Sequence, residues 1–135
     1  MVNDVNGSKD KFFNNNEGLN SNSSRGYITR SPSDKRVYKY TKLPNGLKCI
    51  LIHDPEADKS AASINVKVGS SLDPPPMYGV AHFLEHMLFQ GTSKYPSENE
   101  YSQYMLSNGG YNNAFTSRTD TNYHFNCSNE AFEEA

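Results

Sequence analysis

Gly79-Val80-Ala81-His82-Phe83-Leu84-Glu85-His86-Met87-Leu88-Phe89 is the stretch from which the rest of this 135-residue chain can be read. On a helix turning about 100° per residue, with His82 as origin, Glu85 falls at about −60° and His86 at about +40°. The three polar side chains therefore share one arc, and Val80, Ala81, Phe83, Leu84, Met87, Leu88 and Phe89 fill the remaining circle. A helix apolar on nearly all sides is expected to be buried, which places two imidazoles and a carboxylate in a core or at its mouth. Buried polar groups need partners. Two histidines at i, i+4 can offer nitrogens to one zinc ion, and the carboxylate between them can take a proton from a water held there. The alternative is a buried His–Glu hydrogen-bonded pair with a second histidine beside it. Average composition produces His-x-x-Glu-His by chance in roughly one chain of this length in a few hundred.

The length suits one modest domain. Charge is nearly balanced, at a formal net of −2, and no basic block suggests nucleic acid or an anionic membrane surface. Hydrophobic content is 35%, depressed by residues 1–34, which are rich in Asn, Ser and Gly. These residues read as a disordered leader, with Phe12-Phe13 as its one apolar spot. Cys49 and Cys127 fall in predicted strands and read as buried free thiols, since two cysteines make no disulfide framework. No apolar run reaches the roughly 18 residues of a membrane span, and the N-terminus lacks a signal-peptide core. A reducing, cytoplasmic setting is the expectation, with the sequons at Asn6, Asn22 and Asn126 unmodified.

Order is expected from about residue 35. Tyr38–Leu43 alternates as a strand, and Pro44-Asn45-Gly46 is a turn suited to the positive φ angles of a tight hairpin. Leu47–His53 returns as a second strand, and Ser60–Val68 is a third, with Ile64, Val66 and Val68 on one face. Three successive strands with short turns predict an antiparallel meander. Pro74-Pro75-Pro76 leads into the His82 helix, which Gly91 is expected to end. Ser97-Glu98-Asn99-Glu100 reads as a capping box opening a helix to about Ser107, stopped by Gly109-Gly110, with Tyr101, Tyr104 and Met105 as a core stripe. Tyr111–Ser117 and Thr121–Cys127 read as strands around the turn Arg118-Thr119-Asp120. Ser128-Asn129-Glu130 is expected to start a third helix containing Phe132. The fold class is therefore α+β, an antiparallel meander sheet with helices packed on one face.

The run Gly79–Tyr123 resembles the insulinase-like (insulysin, pitrilysin, M16) zinc metallopeptidases, whose His-x-x-Glu-His order defines the inverzincins. The matching residues are His82–Phe89, Gly91-Thr92, Lys94–Tyr101, Asn113–Ser117 and Thr121-Asn122-Tyr123, with Leu43–Leu47 like the first hairpin. The resemblance covers about residues 36–135, and Tyr95-Pro96-Ser97-Glu98-Asn99-Glu100-Tyr101 favours the insulysin-like branch over the mitochondrial processing peptidases.

Several roles follow from the resemblance. His82 and His86 would be zinc ligands, and Glu85 the general base in hydrolysis of a peptide bond. Asn113, Ala114, Phe115 and Thr116 would bind substrate, with Asn113-Ala114 pairing the peptide backbone by strand addition and Phe115 lining a pocket. From the residues alone, Asn113 reads instead as a turn-proximal polar residue and Phe115 as a core aromatic. The family completes its zinc site with a glutamate roughly 70–80 residues past the second histidine, giving three protein ligands. That position falls beyond Ala135, and Glu98, Glu100, Glu130, Glu133 and Glu134 do not match it. The sequence is thus expected to be the N-terminal part of a catalytic domain, with little peptidase activity alone and with unpaired strand edges open to self-association. A non-catalytic peptide-binding or scaffold role on the same fold is the competing expectation.

Overall fold

The structure is a computed structural model and describes residues 31–135. Phe12-Phe13, Asn6, Asn22 and all but the last four residues of the expected leader lie outside the described residues. The chain divides into two compact units between Glu56 and Ala57.

In the first unit β1 (Val37–Lys42) and β2 (Lys48–His53) form an antiparallel pair running from Val37 opposite His53 to Lys42 opposite Lys48. The connecting turn differs from the sequence expectation. Only Gly46 takes a positive φ, at 90°, while Asn45 uses its side chain to accept the Leu47 N–H at 3.1 Å. The Leu43 N–H reaches the Leu47 carbonyl at 2.8 Å, so the expected three residues, Pro44, Asn45 and Gly46, close the loop. Ahead of β1, the Asp34 carboxylate accepts from the Arg36 guanidinium at 2.8 and 2.9 Å and from the Tyr38 hydroxyl at 2.8 Å. The Arg36 hydrogen bonds first, then Tyr38, hold Asp34 well below the usual carboxylate range.

In the second unit β3 (Lys59–Val66), β4 (Tyr111–Thr116) and β5 (Thr121–Ser128) form one antiparallel sheet in the order β3-β5-β4. The antiparallel α+β class matches the sequence expectation, but the succession of strands does not. β3 pairs with β5, Ser60 opposite Cys127 and Val66 opposite Thr121, while β1 and β2 form their own two-stranded sheet. Short turns made β1, β2 and β3 look like neighbours; the pairing that formed joins segments more than fifty residues apart.

Helix α1 spans Val80–Met87 and α2 spans Glu100–Ser107. The capping box is not made: Asn99 is the N-cap without a side-chain bond, and Ser97 contributes only its carbonyl, which accepts the Glu100 N–H at 3.2 Å. At the other end Gly109-Gly110 stops α2 as expected, by a Schellman pair. The Gly110 N–H reaches the Met105 carbonyl at 2.8 Å and the Gly109 N–H the Leu106 carbonyl at 3.2 Å. Gly91 does not cap α1, which ends at Met87 with two tighter turns, Phe89 to His86 and Gln90 to Met87. The need for glycine there is space, because a Cβ would lie 2.7 Å from the Pro96 carbonyl oxygen. The third helix is also absent: residues after Ser128 form turns, closed by Ala131 N–H to Ser128 O and Ala135 N–H to Ala131 O. Six residues of turn cannot nucleate a stable helix unaided.

The core of this unit is Met105 and Cys127, both fully enclosed, with Ala131. Tyr101, Tyr104, Phe125 and Ala135 pack around them, and the Tyr104 hydroxyl donates to the Ala131 carbonyl at 3.0 Å. The predicted Tyr101–Tyr104–Met105 stripe is thus the core face of α2. Both cysteines are free thiols; Cys127 is buried and Cys49 half-buried. Among the described residues no helix is long and apolar enough to cross a membrane.

Candidate functional site

Helix α1 inverts the expectation drawn from its composition. Its one buried residue is Glu85, at 7% exposure, while Phe83, Leu84 and Leu88 are exposed. The elements beside it are β4, β5 and a 3-10 turn at Ser70–Leu72, and they cover the carboxylate face only.

Two anchors fix α1. At its start Gly79 adopts φ 94°, a left-handed conformation open to glycine, and no side chain of the adjoining residues caps the helix. The cap comes instead from Asp73, whose Oδ2 accepts the Gly79 N–H at 2.7 Å and Oδ1 the Ala81 N–H at 2.9 Å. A carboxylate here satisfies unpaired helix donors and meets the positive end of the dipole. The second anchor is at Glu85, where Oε2 accepts a hydrogen bond from the Thr116 hydroxyl of β4 at 2.5 Å. The bond gives the buried carboxylate a partner and so offsets the cost of burying it.

One turn apart on the open side of α1, the His82 and His86 rings stand 4.7 Å between centroids, with their Nε2 atoms 3.1 Å apart. Two nitrogens bound tetrahedrally to one zinc at about 2.0–2.1 Å would lie about 3.3 Å apart, so the pair fits a shared ion. Among the described residues no group of three or more His, Cys, Asp or Glu side chains converges on one point. Beside the site, burial and then the Glu85 charge push the Tyr123 hydroxyl above the ordinary phenol range.

Strand β4 is an outer strand of its sheet. Ser117 and Asp120 form the last hydrogen-bonded pair of the hairpin, through the Ser117 N–H at 2.8 Å. Alternation from there turns the main-chain groups of Thr116, Ala114 and Asn112 away from β5, toward the open edge. The Asn113 Oδ1 meets this outward Ala114 N–H at 2.9 Å. Side chains alternate as well: Thr116 shares a face with Ala114 and reaches Glu85, whereas Phe115, 52% exposed, lies on the other face with Tyr111 and Asn113. Phe115 is therefore not the core aromatic its composition suggested. The structure gathers His82, Glu85, His86 and Thr116, leaves the Phe115 side chain on the far face, and adds Asp73. Asp73 lies six positions before Gly79, so the usual sign of a cap, an acid immediately before the helix, is missing.

A sequence profile of the family described as Insulinase (Peptidase family M16) matches residues 48–135. The insulin-degrading enzyme of Homo sapiens is 54% identical over 109 residues, covering 81% of this chain and 11% of that protein. A Schizosaccharomyces pombe protein whose name calls it a zinc protease is 48% identical over 98 residues, covering 73% of this chain and 10% of its own length. Among solved structures, pitrilysin aligns with a TM-score of 0.75 at 38% identity, over 80% of this chain and 12% of that one. The chain thus spans about a tenth of the length of these relatives.

Proposed function

The chain belongs to the insulinase family of peptidases, M16, and from that premise we propose that it carries the zinc-binding and proton-transfer helix of a metallopeptidase that hydrolyses peptides. The observation that carries this reading is the pair of Nε2 atoms 3.1 Å apart, His82 and His86, on the one helix whose buried residue is Glu85. His82 and His86 would hold the ion. Zinc, when bound, supplies Lewis acidity and a nucleophilic water at neutral pH. Glu85 would accept the proton of a water held at the site as the oxygen of that water bonds to the peptide carbonyl carbon, and would return the proton to the amide nitrogen as the C–N bond breaks. The outward main-chain groups of Ala114 and Thr116 would take the peptide as an added strand, with Asn113 beside them. Peptides are the proposed partners and the cytoplasm the proposed setting.

Zinc stoichiometry and affinity by chelator competition, on wild type and His82→Ala, test the metal half. One ion per chain, lost in the variant, supports it; equal affinity in both overturns it. For the base, peptide cleavage abolished by Glu85→Gln supports the reading, and unchanged cleavage overturns it. The open edge of β4 favours a second reading, a peptide-binding module without turnover. Equal peptide binding by wild type and Glu85→Gln, with zinc bound by neither, would select it.

A further inference from the structure

We infer that Thr116 is a positioning residue, whose hydroxyl sets the orientation of the Glu85 carboxylate relative to the open edge of β4. The inference rests on the reading of Glu85 as the base and adds what holds that base in place. Helix α1 fixes the Cα of Glu85, but three side-chain torsions still separate that atom from the carboxylate oxygens. Proton transfer requires an oxygen within about 2.6–3.2 Å of the donor, a tolerance that free rotation would not meet. The 2.5 Å bond from Thr116 Oγ1 engages Oε2 and leaves Oε1 as the oxygen for transfer.

The residue is suited to this task in two ways. A β-branched side chain in a strand is stiff about χ1, so its hydroxyl is a firm anchor. Its neighbour across the hairpin, Thr121, has its own hydroxyl committed to the Val68 carbonyl at 2.8 Å and does not compete for Glu85. Moreover, the Thr116 main-chain groups turn toward the same open edge as those of Ala114. A peptide added at that edge and the carboxylate would then be referenced to one residue, its backbone on one side and its hydroxyl on the other. Serine retains the donor, whereas valine keeps the shape and removes it.

The test is the Glu85 side-chain rotamer in the metal-free chain, read from three-bond couplings with carbon-13-labelled glutamate in wild type, Thr116→Val and Thr116→Ser. Single-rotamer couplings in wild type and Thr116→Ser, with averaged couplings in Thr116→Val under an otherwise unchanged backbone spectrum, are expected. A single unchanged rotamer in Thr116→Val overturns the inference. Thr116→Ala, which removes the hydroxyl without replacing it, takes the place of the valine variant should that fail to fold, with the same two outcomes. Because neither metal nor peptide is present, this result stands apart from whether Glu85 is the base, which cleavage by Glu85→Gln decides. Zinc affinity is the control: the Thr116 hydroxyl bonds to Glu85 and the two histidine Nε2 atoms face one another, so Thr116→Val retains the wild-type value while His82→Ala loses it.

Discussion

Helices α1 and α2 have the same length, eight residues, and lie in the same unit, yet they use their inward positions in opposite ways. The more apolar α1 turns a carboxylate inward and leaves Phe83, Leu84 and Leu88 exposed. The more polar α2 turns Met105 inward and packs Tyr101 and Tyr104 against Cys127. Composition therefore ranks the two helices in the wrong order for burial. The difference shows that α2 is held by apolar contact, while α1 is held by directed hydrogen bonds, donated to Asp73 and accepted from Thr116.

That contrast has measurable consequences. The largest belongs to α2: Met105→Ala opens a cavity in a small core and is expected to cost about 2–5 kcal/mol in denaturant melts. A cost under about 1 kcal/mol would mean that α2 is not held by its core face. Next comes the cap of α1, where Asp73→Ala should cost about 0.5–2 kcal/mol. Amide exchange should localise that loss to the first turn of α1, and a loss spread evenly over α2 would break the comparison. Glu85→Gln is smaller again, within about 1 kcal/mol, because the amide oxygen can still accept from Thr116. The smallest effect concerns the loop before α2, where the Tyr95 hydroxyl donates to Glu134 and Lys94 lies 3.6 Å from the same carboxylate. The Tyr95 bond first, then the Lys94 charge, lower the Glu134 pKa below its ordinary value. A depressed folded-state pKa gives stability that is present above the unfolded value of about 4.3 and is lost as pH falls through the folded value. Melts of Tyr95→Phe should accordingly lie below wild type at about pH 6 and converge with it in acid.

How far the sequence was readable depends on the range over which each feature acts. Strand and helix positions are local, so the alternation of Ser60–Val68, which forms β3 at Lys59–Val66, and the Gly109-Gly110 stop could be read in place. The His82–Glu85–His86 grouping was readable for the same reason, since one helix fixes it. Pairing of β3 with β5 is not local, and no feature of residues 54–58 says that the chain leaves β2 behind. The partners of Glu85 and of the first turn of α1 lie 31 and 6–8 residues away, and only the fold brings them together. Composition overstates the burial of α1, because apolar side chains are buried only where something covers them, and here three elements cover one face.

Gly79 carries a consequence in terms of handedness. At φ 94°, with nothing within 4 Å of an ideal Cβ, the obstacle to a side chain is chirality and not room. L-alanine there should cost about 1–2 kcal/mol, the penalty of a left-handed backbone. D-alanine, introduced by chemical ligation, would fit the same angles and remove about 0.4–1 kcal/mol of unfolded-state freedom, so it should raise the stability of α1. The helix bearing the two histidines thus begins at a position where a D-residue suits the fold better than either glycine or an L-residue, and the order of melting temperatures, D-alanine above glycine above L-alanine, would show it.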